Sequence, residues 1–361
     1  MHRRSRSWLT AAVLFGATLF AAAQQPIVDR DPVPSPDPDP VMTAPGTPGQ
    51  GPVSTVERSG STYTLRAEVG EVRLNAAVLE NGHPVQNVPK DAFHVYEDGV
   101  PQTILSFRHE DLPVSLGILI DNSGSMYDKR AAVDKSALDL VRLSNPKDEA
   151  FLVDFSDEAF IDQDFTHDVE KLKAALSYVK PAGGTAIYDT VIASADYLAK
   201  NAKLPKQVLL LITDGDDNAS GSTLEEAIRR VQELDGPTIY CVGLLFGDDS
   251  NKAESRHARR VLETLAAQTG GIAYFPRKLS EVDQIAAEVA EDIRQQYTIT
   301  YRSTKPASLG GYRQIRVEAK AKGFGKLDVR TRSGYFPKGA SPTEKQQPAP
   351  AMAPRSKHPG E

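Results

Sequence analysis

The chain has one cysteine and one tryptophan in 361 residues. A single thiol, Cys241, excludes an internal disulfide framework, a multi-cysteine zinc site and iron–sulfur ligation by this chain alone. Positive charge is not in excess either: 42 Lys+Arg stand against 48 Asp+Glu, a net charge of −6. That balance argues against general nucleic-acid binding. A run of apolar residues long enough to span a membrane is also missing. The stretch Trp8 to Phe20 has 13 residues, short of the roughly 20 that a spanning helix needs. What is present is a hydrophobic share of 40%, enough for packed cores, and a length that suits two or three domains.

The short apolar stretch has its own explanation. Arg3, Arg4 and Arg6 precede it, and Ala21-Ala22-Ala23 follow it before Gln24. This is the pattern of a secretory signal peptide over residues 1–23, cut after Ala23; an uncleaved anchor is the alternative. No cysteine stands at the cut, so a lipid-anchored form is not expected. Removal of the leader leaves 39 basic against 48 acidic residues, a net charge of −9, and no tryptophan. The expected location is secreted or periplasmic, with no stable membrane insertion after cleavage.

Proline marks the edges of the folded part. Nine prolines fall in residues 24–55 and six in 337–361, of 25 in all. The first segment, with Pro34-Ser35-Pro36-Asp37-Pro38, reads as a stiff extended linker, and the second as a disordered tail. Between them the net charge is −4 over residues 56–112, −11 over 113–296 and +7 over 297–336. The basic segment faces the acidic one, forms a separate binding face or presents solvated faces, and solvated faces are the ordinary outcome.

Residues 56–112 read as strand-rich. Val72, Leu74, Ala76 and Val78 alternate with less apolar neighbours, and Asn81-Gly82 and Glu97-Asp98-Gly99 are turn signals. Residues 297–336 alternate in the same way, at Tyr297/Ile299/Tyr301, Ile315/Val317/Ala319 and Leu327/Val329/Thr331. The two segments are candidates for one discontinuous β-domain. Residues 113–296 instead alternate buried-strand runs (Leu116–Ile120, Phe151–Phe155, Val208–Thr213, Ile239–Leu245, Ile272–Phe275) with helical periodicity. That is the signature of a doubly wound α/β fold.

In such folds ligands bind at the carboxyl ends of the strands. Two strand ends here deliver acids. Asp121 opens Asp121-Asn122-Ser123-Gly124-Ser125, and Asp214 opens Asp214-Gly215-Asp216-Asp217-Asn218. A third loop, Gly183-Gly184-Thr185, precedes a helix. Three hydroxyls and two carboxylates from three loops make a hard-oxygen set, suited to Mg²⁺, Mn²⁺ or Ca²⁺ and poorly suited to zinc or copper. Asp216 and Asp217 are expected to be solvated rim acids. Cys241 is expected to be buried in a strand, Tyr297 and Tyr301 to lie in a core, and the seven histidines show no ligand-like pairing.

The order D-x-S-x-S, Gly-Gly-Thr, Thr-Asp-Gly resembles the metal-ion-dependent adhesion site of von Willebrand factor type A domains, over about residues 113–296. The Tyr96-Glu97-Asp98-Gly99 turn before it and Arg332-Ser333-Gly334-Tyr335 after it resemble a family of secreted bacterial proteins built on that domain. The resemblance implies direct ligation by Ser123 and Ser125, ligation by Thr185 directly or through water, and support from Asp121 and Asp214 through water or by orienting the hydroxyls. The implied cofactor is a divalent cation, Mg²⁺ first. The implied partner is a protein that supplies a carboxylate as the last ligand. An envelope scaffold whose metal only stabilises the fold is one alternative. A Mg²⁺-dependent hydrolase is another, but the aspartyl-nucleophile motif needs D-x-D where this chain has Ser123, and no G-x-S-x-G is present. The chain is therefore expected not to be an enzyme.

Overall fold

A computed structural model describes residues 58–59, 62–63, 70–177, 181–246, 252–338 and 353–354. The expected leader with its cut after Ala23, the proline-rich linker and most of the tail lie outside these residues.

In chain order the main elements of the first strand-rich segment are β1 (Glu71–Glu80), β2 (Phe93–Glu97), β3 (Val100–Gln102) and β4 (Ile104–Arg108). The α/β part follows with β5 (Val114–Asp121), α1 (Arg130–Leu143), β6 (Glu149–Phe155), β7 (Ala159–Thr166), α2 (Val169–Leu176) and α3 (Ile187–Asn201). It continues with β8 (Lys206–Thr213), α4 (Leu224–Glu233), β9 (Thr238–Gly243), α5 (Lys252–Thr269), β10 (Ala273–Tyr274) and α6 (Val282–Arg294). The last segment holds β11 (Tyr297–Arg302), β12 (Arg313–Ala319), β13 (Leu327–Arg330) and β14 (Gly334–Tyr335).

The central sheet runs β10–β9–β8–β5–β6–β7, with every pairing parallel except the antiparallel β6–β7. β5 and β6 are buried at every position, as a strand covered by helices on both faces must be. One face packs Leu116, Ile118, Leu210 and Ile212 against α1 and α6 residues such as Val133, Leu140, Val289 and Ile293. The opposite face packs Phe151, Val153, Leu209 and Leu211 against Ile187, Val191, Leu262 and Leu265. The chain leaves β5 toward β6 on one side and returns to β8 on the other. The carboxyl ends of β5 and β8 therefore flank the point where strand order reverses, which opens a crevice there.

β7 is absent from the strands read in the sequence. Its residues are almost all half-buried, so Ala159–Thr166 carries neither the alternation of a half-buried strand nor the apolar run of a central one.

The two strand-rich segments pair with each other. β11 lies antiparallel between β1 and β4, while β13 pairs with β1. In a second sheet β12 joins β2, with β3 and β14 at the edges. Val72, Leu74, Tyr297, Ile299 and Tyr301 of the first sheet share one core with Phe93, Val95, Ile315 and Val317 of the second. Asn81 and Gly82 make the expected turn, both with positive φ (52° and 84°). The basic segment is not simply solvated. Arg313 is buried on Glu97, while Arg330 and Arg332 cross to Asp292 and Asp235 of the α/β part.

Candidate functional site

Asp121 ends β5 with no exposure. One carboxylate oxygen accepts the Ser123 amide at 2.7 Å, and the other accepts the Thr213 hydroxyl at 2.6 Å. Burial pushes its pKa up to about 6, against the pull of these hydrogen bonds. Thr213 also accepts the Gly215 amide at 3.2 Å, which ties the turn after β8 to the acid that ends β5.

A short relay runs through the hydroxyls. Ser125 donates to Asp214 Oδ1 at 2.7 Å, and the Ser123 and Ser125 oxygens lie 3.1 Å apart. A serine has one proton to give. Ser125 has committed its own to Asp214, and the Ser123 hydroxyl has two acceptors, Ser125 and the Asp121 carboxylate, with which it also shares a side-chain hydrogen bond. Both protons are thus held within the set, and lone pairs of the two hydroxyls remain for another partner. Ser123 is buried at 3% exposure, while Ser125 is exposed. The set is covered on one side and open on the other.

The third loop is placed by crowding. Gly183 has φ +88°, a region that favours glycine. A Cβ on Gly184 would lie 2.6 Å from Asn218 Oδ1 and 2.8 Å from Asp157 Oδ1. Those two side chains hold the loop: Asp157 accepts the Gly184 amide at 2.8 Å, and Asn218 accepts the Thr185 amide at 2.9 Å. The Thr185 carbonyl in turn accepts the Asn218 amide at 3.0 Å. Ala182 N–H donates to the Asn122 carbonyl, and Ala186 N–H to that of Ser156. Thr185 is left 3% exposed, beside Gly215, where an added Cβ would sit 3.7 Å from its hydroxyl.

The structure therefore brings Asp121, Ser123, Ser125 and Asp214 into one hydrogen-bonded set, with Thr185 held against its edge. Their chemistry fits a hard divalent cation: three neutral hydroxyl oxygens, two carboxylates, and glycines that let the loops close on one another. Among the described residues no group of three or more His, Cys, Asp or Glu side chains is placed to hold a metal. The hydroxyl-rich set is thus the candidate site.

Several residues that matter here were not singled out from the sequence. Asp157 acts through the hydrogen bond above, while Thr213 and Asn218 stand in the sequence only as part of the Thr-Asp-Gly motif and of the turn after it. Lys129 lies 2.5 Å from Asp214 Oδ2. Arg130, beneath the site, reaches the Asn122 side chain at 3.0 Å and Asp154 at 2.7 Å. Two expectations need correction. Asp217 is not a free rim acid, because it accepts the Tyr188 amide at 3.2 Å and the Ser220 hydroxyl at 2.6 Å, holding the start of α3. Asp216 is paired with His257 at 2.5 Å, so one histidine does sit beside the site. Cys241 is fully buried, and burial pushes its thiol pKa up. Tyr297 and Tyr301 are core residues with no exposure.

Residues 116–216 match the model of a protein family described as von Willebrand factor type A domain. Among solved structures, proximal thread matrix protein 1 from the mussel byssus aligns at 17% identity and TM-score 0.43, covering 52% of this chain and 49% of that one. The match thus spans about half of the mussel chain. The von Willebrand factor domain of a type V pilus tip protein from Porphyromonas gingivalis aligns at 14% identity and TM-score 0.41, covering 51% and 97%. A von Willebrand factor type A protein from Catenulispora acidiphila aligns at 14% identity and TM-score 0.42, covering 76% of each. No curated protein matches the chain.

Proposed function

Because residues 116–216 match the model of the von Willebrand factor type A domain family, we propose that the protein is an exported interaction module. It captures a protein partner through a divalent cation at the carboxyl ends of β5 and β8. Ser123, Ser125 and Thr185 would hold the cation through their hydroxyls, and Asp121 and Asp214 would orient those hydroxyls and balance the charge. Mg²⁺ is the first candidate, and Mn²⁺ or Ca²⁺ would meet the same hard oxygens. When bound, the cation supplies Lewis acidity that neutral ligands leave largely undiminished. A carboxylate from the partner is the natural last ligand. The reading contains no catalytic step.

The observation that carries this reading is the pair of serine hydroxyls whose protons are held within the set, Ser125 on Asp214 and Ser123 between Ser125 and Asp121. It turns lone pairs rather than protons to the remaining space, on the open side of a sheet end. The leader at residues 1–23 would route the chain to the envelope or beyond. No helix among the described residues is long and apolar enough to cross a membrane.

The test uses the chain from Gln24 onward. Its Mn²⁺ affinity is measured by the loss of the free-ion paramagnetic signal, and partner capture from the native envelope is measured with and without EDTA. Wild type is expected to bind Mn²⁺ and to capture a partner only with a divalent cation present. Asp121→Ala and Ser125→Ala should lose both while keeping a cooperative thermal transition. Capture of a confirmed partner by Asp121→Ala as well as by wild type would refute the reading. An Mn²⁺ affinity unchanged by Ser125→Ala would do the same.

A further inference from the structure

We propose that the outer edge of β7 is a docking strip for an extended, basic segment of chain, and that its occupant is the protein's own C-terminus from Ala353 to Lys357. None of the five candidate metal-site residues takes part.

β7 stands at the side of the central sheet away from β6. A strand in that place presents a row of backbone donors and acceptors that another strand can pair with, and proteins cover or blunt such edges. Here the cover comes from the far end of the same chain. Ala353 and Pro354 form a short strand, β15, parallel to β7, with Ala353 opposite Phe160 and Pro354 opposite Ile161. A proline suits this role, because an outermost strand can turn the position that lacks an N–H away from its neighbour. The pairing of β7 with β6 also shifts register between Ile161 and Gln163 and between Gln163 and Thr166, irregularities that belong near the edge of a sheet.

Charge gives the strip its specificity. Residues 156–170 hold six acids, Asp157, Glu158, Asp162, Asp164, Asp168 and Glu170, and no Lys or Arg. Four of them accept hydrogen bonds from neutral donors: Asp157 from the Gly184 amide, Asp162 from the Asp154 amide, Asp164 from the Tyr197 hydroxyl and Asp168 from the Glu170 amide. Such bonds leave the charge of a carboxylate in place. The nearby cations are engaged at the margins of the strip, Lys173 with Glu170 at 3.8 Å, and Arg130, on the inner side, with Asp134 and Asp154. Past Pro354 the tail reads Arg355-Ser356-Lys357-His358, with no acid before Glu361. A parallel strand that runs on from Ile161 carries Arg355 and Lys357 along the stretch of β7 that bears Asp162 and the exposed Asp164. Opposite charges on neighbouring strands attract. With the tail seated, the start of β7 is closed to a strand from another molecule, and any extended basic segment that pairs there must first displace it.

The experiment is disulfide trapping in the chain from Gln24 onward, at low protein concentration under a mild oxidant. Paired residues on neighbouring strands stand about 4.7–4.9 Å apart, within the range that a disulfide accepts, and the native thiol, Cys241, is buried. Phe160→Cys with Ala353→Cys is compared with Phe160→Cys with Ala349→Cys, which lies about 13 Å back along an extended tail. The first pair is expected to form an internally cross-linked monomer at least about tenfold faster than the second. Arg355→Gln with Lys357→Gln, added to the first pair, should slow trapping several-fold. Equal rates for the two cysteine pairs, or trapping unaffected by the glutamines, would overturn the inference. Cross-linked dimers in place of monomers would overturn the choice of occupant and assign the strip to a second copy. A further measurement leaves Phe160 in place, so that it does not depend on the folding of the cysteine variants. Tryptic cleavage after Arg355, relative to cleavage after Lys345, should accelerate several-fold in Asp164→Lys, which reverses an exposed charge on the strip. A ratio unchanged by Asp164→Lys would overturn the inference as well.

Discussion

Replacing Gly184 with alanine would place a methyl carbon 2.6 Å from Asn218 Oδ1 and 2.8 Å from Asp157 Oδ1. Ordinary contact for such pairs begins near 3.4 Å, so both side chains would have to retreat by more than half an ångström. Neither is free to do so, because each accepts a backbone amide of this loop, from Gly184 at 2.8 Å and from Thr185 at 2.9 Å. Losing a carboxylate-accepted bond and a neutral one costs about 2–4 kcal/mol. The alanine also restricts the unfolded chain, which offsets about 0.4–1 kcal/mol. The net expectation is a destabilisation of about 1–3 kcal/mol, together with displacement of the Thr185 hydroxyl from its place beside Gly215.

Two assays separate these effects. Urea unfolding of the cation-free protein reads the stability loss, and Mn²⁺ titration reads the ligand displacement. Gly221→Ala is the control, since its added Cβ would come no closer than 3.7 Å to Asp189 Oδ2; it should stay within about 0.5 kcal/mol of wild type. Gly184→Ala should lose stability as stated and bind Mn²⁺ at least about tenfold more weakly, as expected for a displaced ligand. A Gly184→Ala protein as stable as the control would show that the close approach is not structural. Unaltered Mn²⁺ binding in a destabilised Gly184→Ala protein would remove Thr185 from the proposed ligand set.

Three further outcomes are expected elsewhere in the chain. Lys206 is buried and donates to the Ile293 carbonyl; burial pushes its pKa down to about 8, against the pull of Asp292, Asp111 and Asp148. Between that value and its ordinary value near 10.5 the unfolded chain binds more protons, so stability rises with pH through that window and the charge is a cost below it. Lys206→Met should raise stability at pH 7 by about 1–3 kcal/mol, with the gain fading toward pH 10.5; a stability unchanged by the substitution at pH 7 would refute this. Glu97 accepts from Tyr301 at 2.6 Å, Ser303 at 2.6 Å, Tyr335 at 3.0 Å and Arg313 at 3.2 Å, linking the two strand-rich segments. Glu97→Ala would leave a buried guanidinium without its carboxylate and should cost about 3–5 kcal/mol in urea unfolding. Finally, the Cys241 thiol should resist alkylation in the native protein and react only on unfolding; rapid native labelling would contradict its burial.

Local pattern carried much of this architecture. The period-two residues of β1, β11 and β12 are buried, because successive side chains in a strand alternate between faces. The apolar runs of β5, β6 and β8 announced strands buried on both sides. Asp121, Ser123, Ser125 and Asp214, candidates from the local pattern of a strand end followed by an acid or hydroxyls, lie in one hydrogen-bonded set. β7 was not legible, because a half-buried strand leaves no contrast between its faces.

Sequence by itself therefore determined where most of the strands lie, and which oxygen-bearing residues stand at strand ends. Tertiary structure alone decided what those residues meet. Residues far apart along the chain supply the contacts: Asp157 to Gly184, Asn218 to Thr185, Thr213 to Asp121, Lys129 to Asp214, and β1 and β2 to β11 and β12. Periodicity reports how a residue faces its own element, and carries no information about which distant element closes over it. The charge of the site, the direction of its hydroxyl protons and the placing of its third loop all depend on such long-range neighbours, so they exist only once the chain has folded.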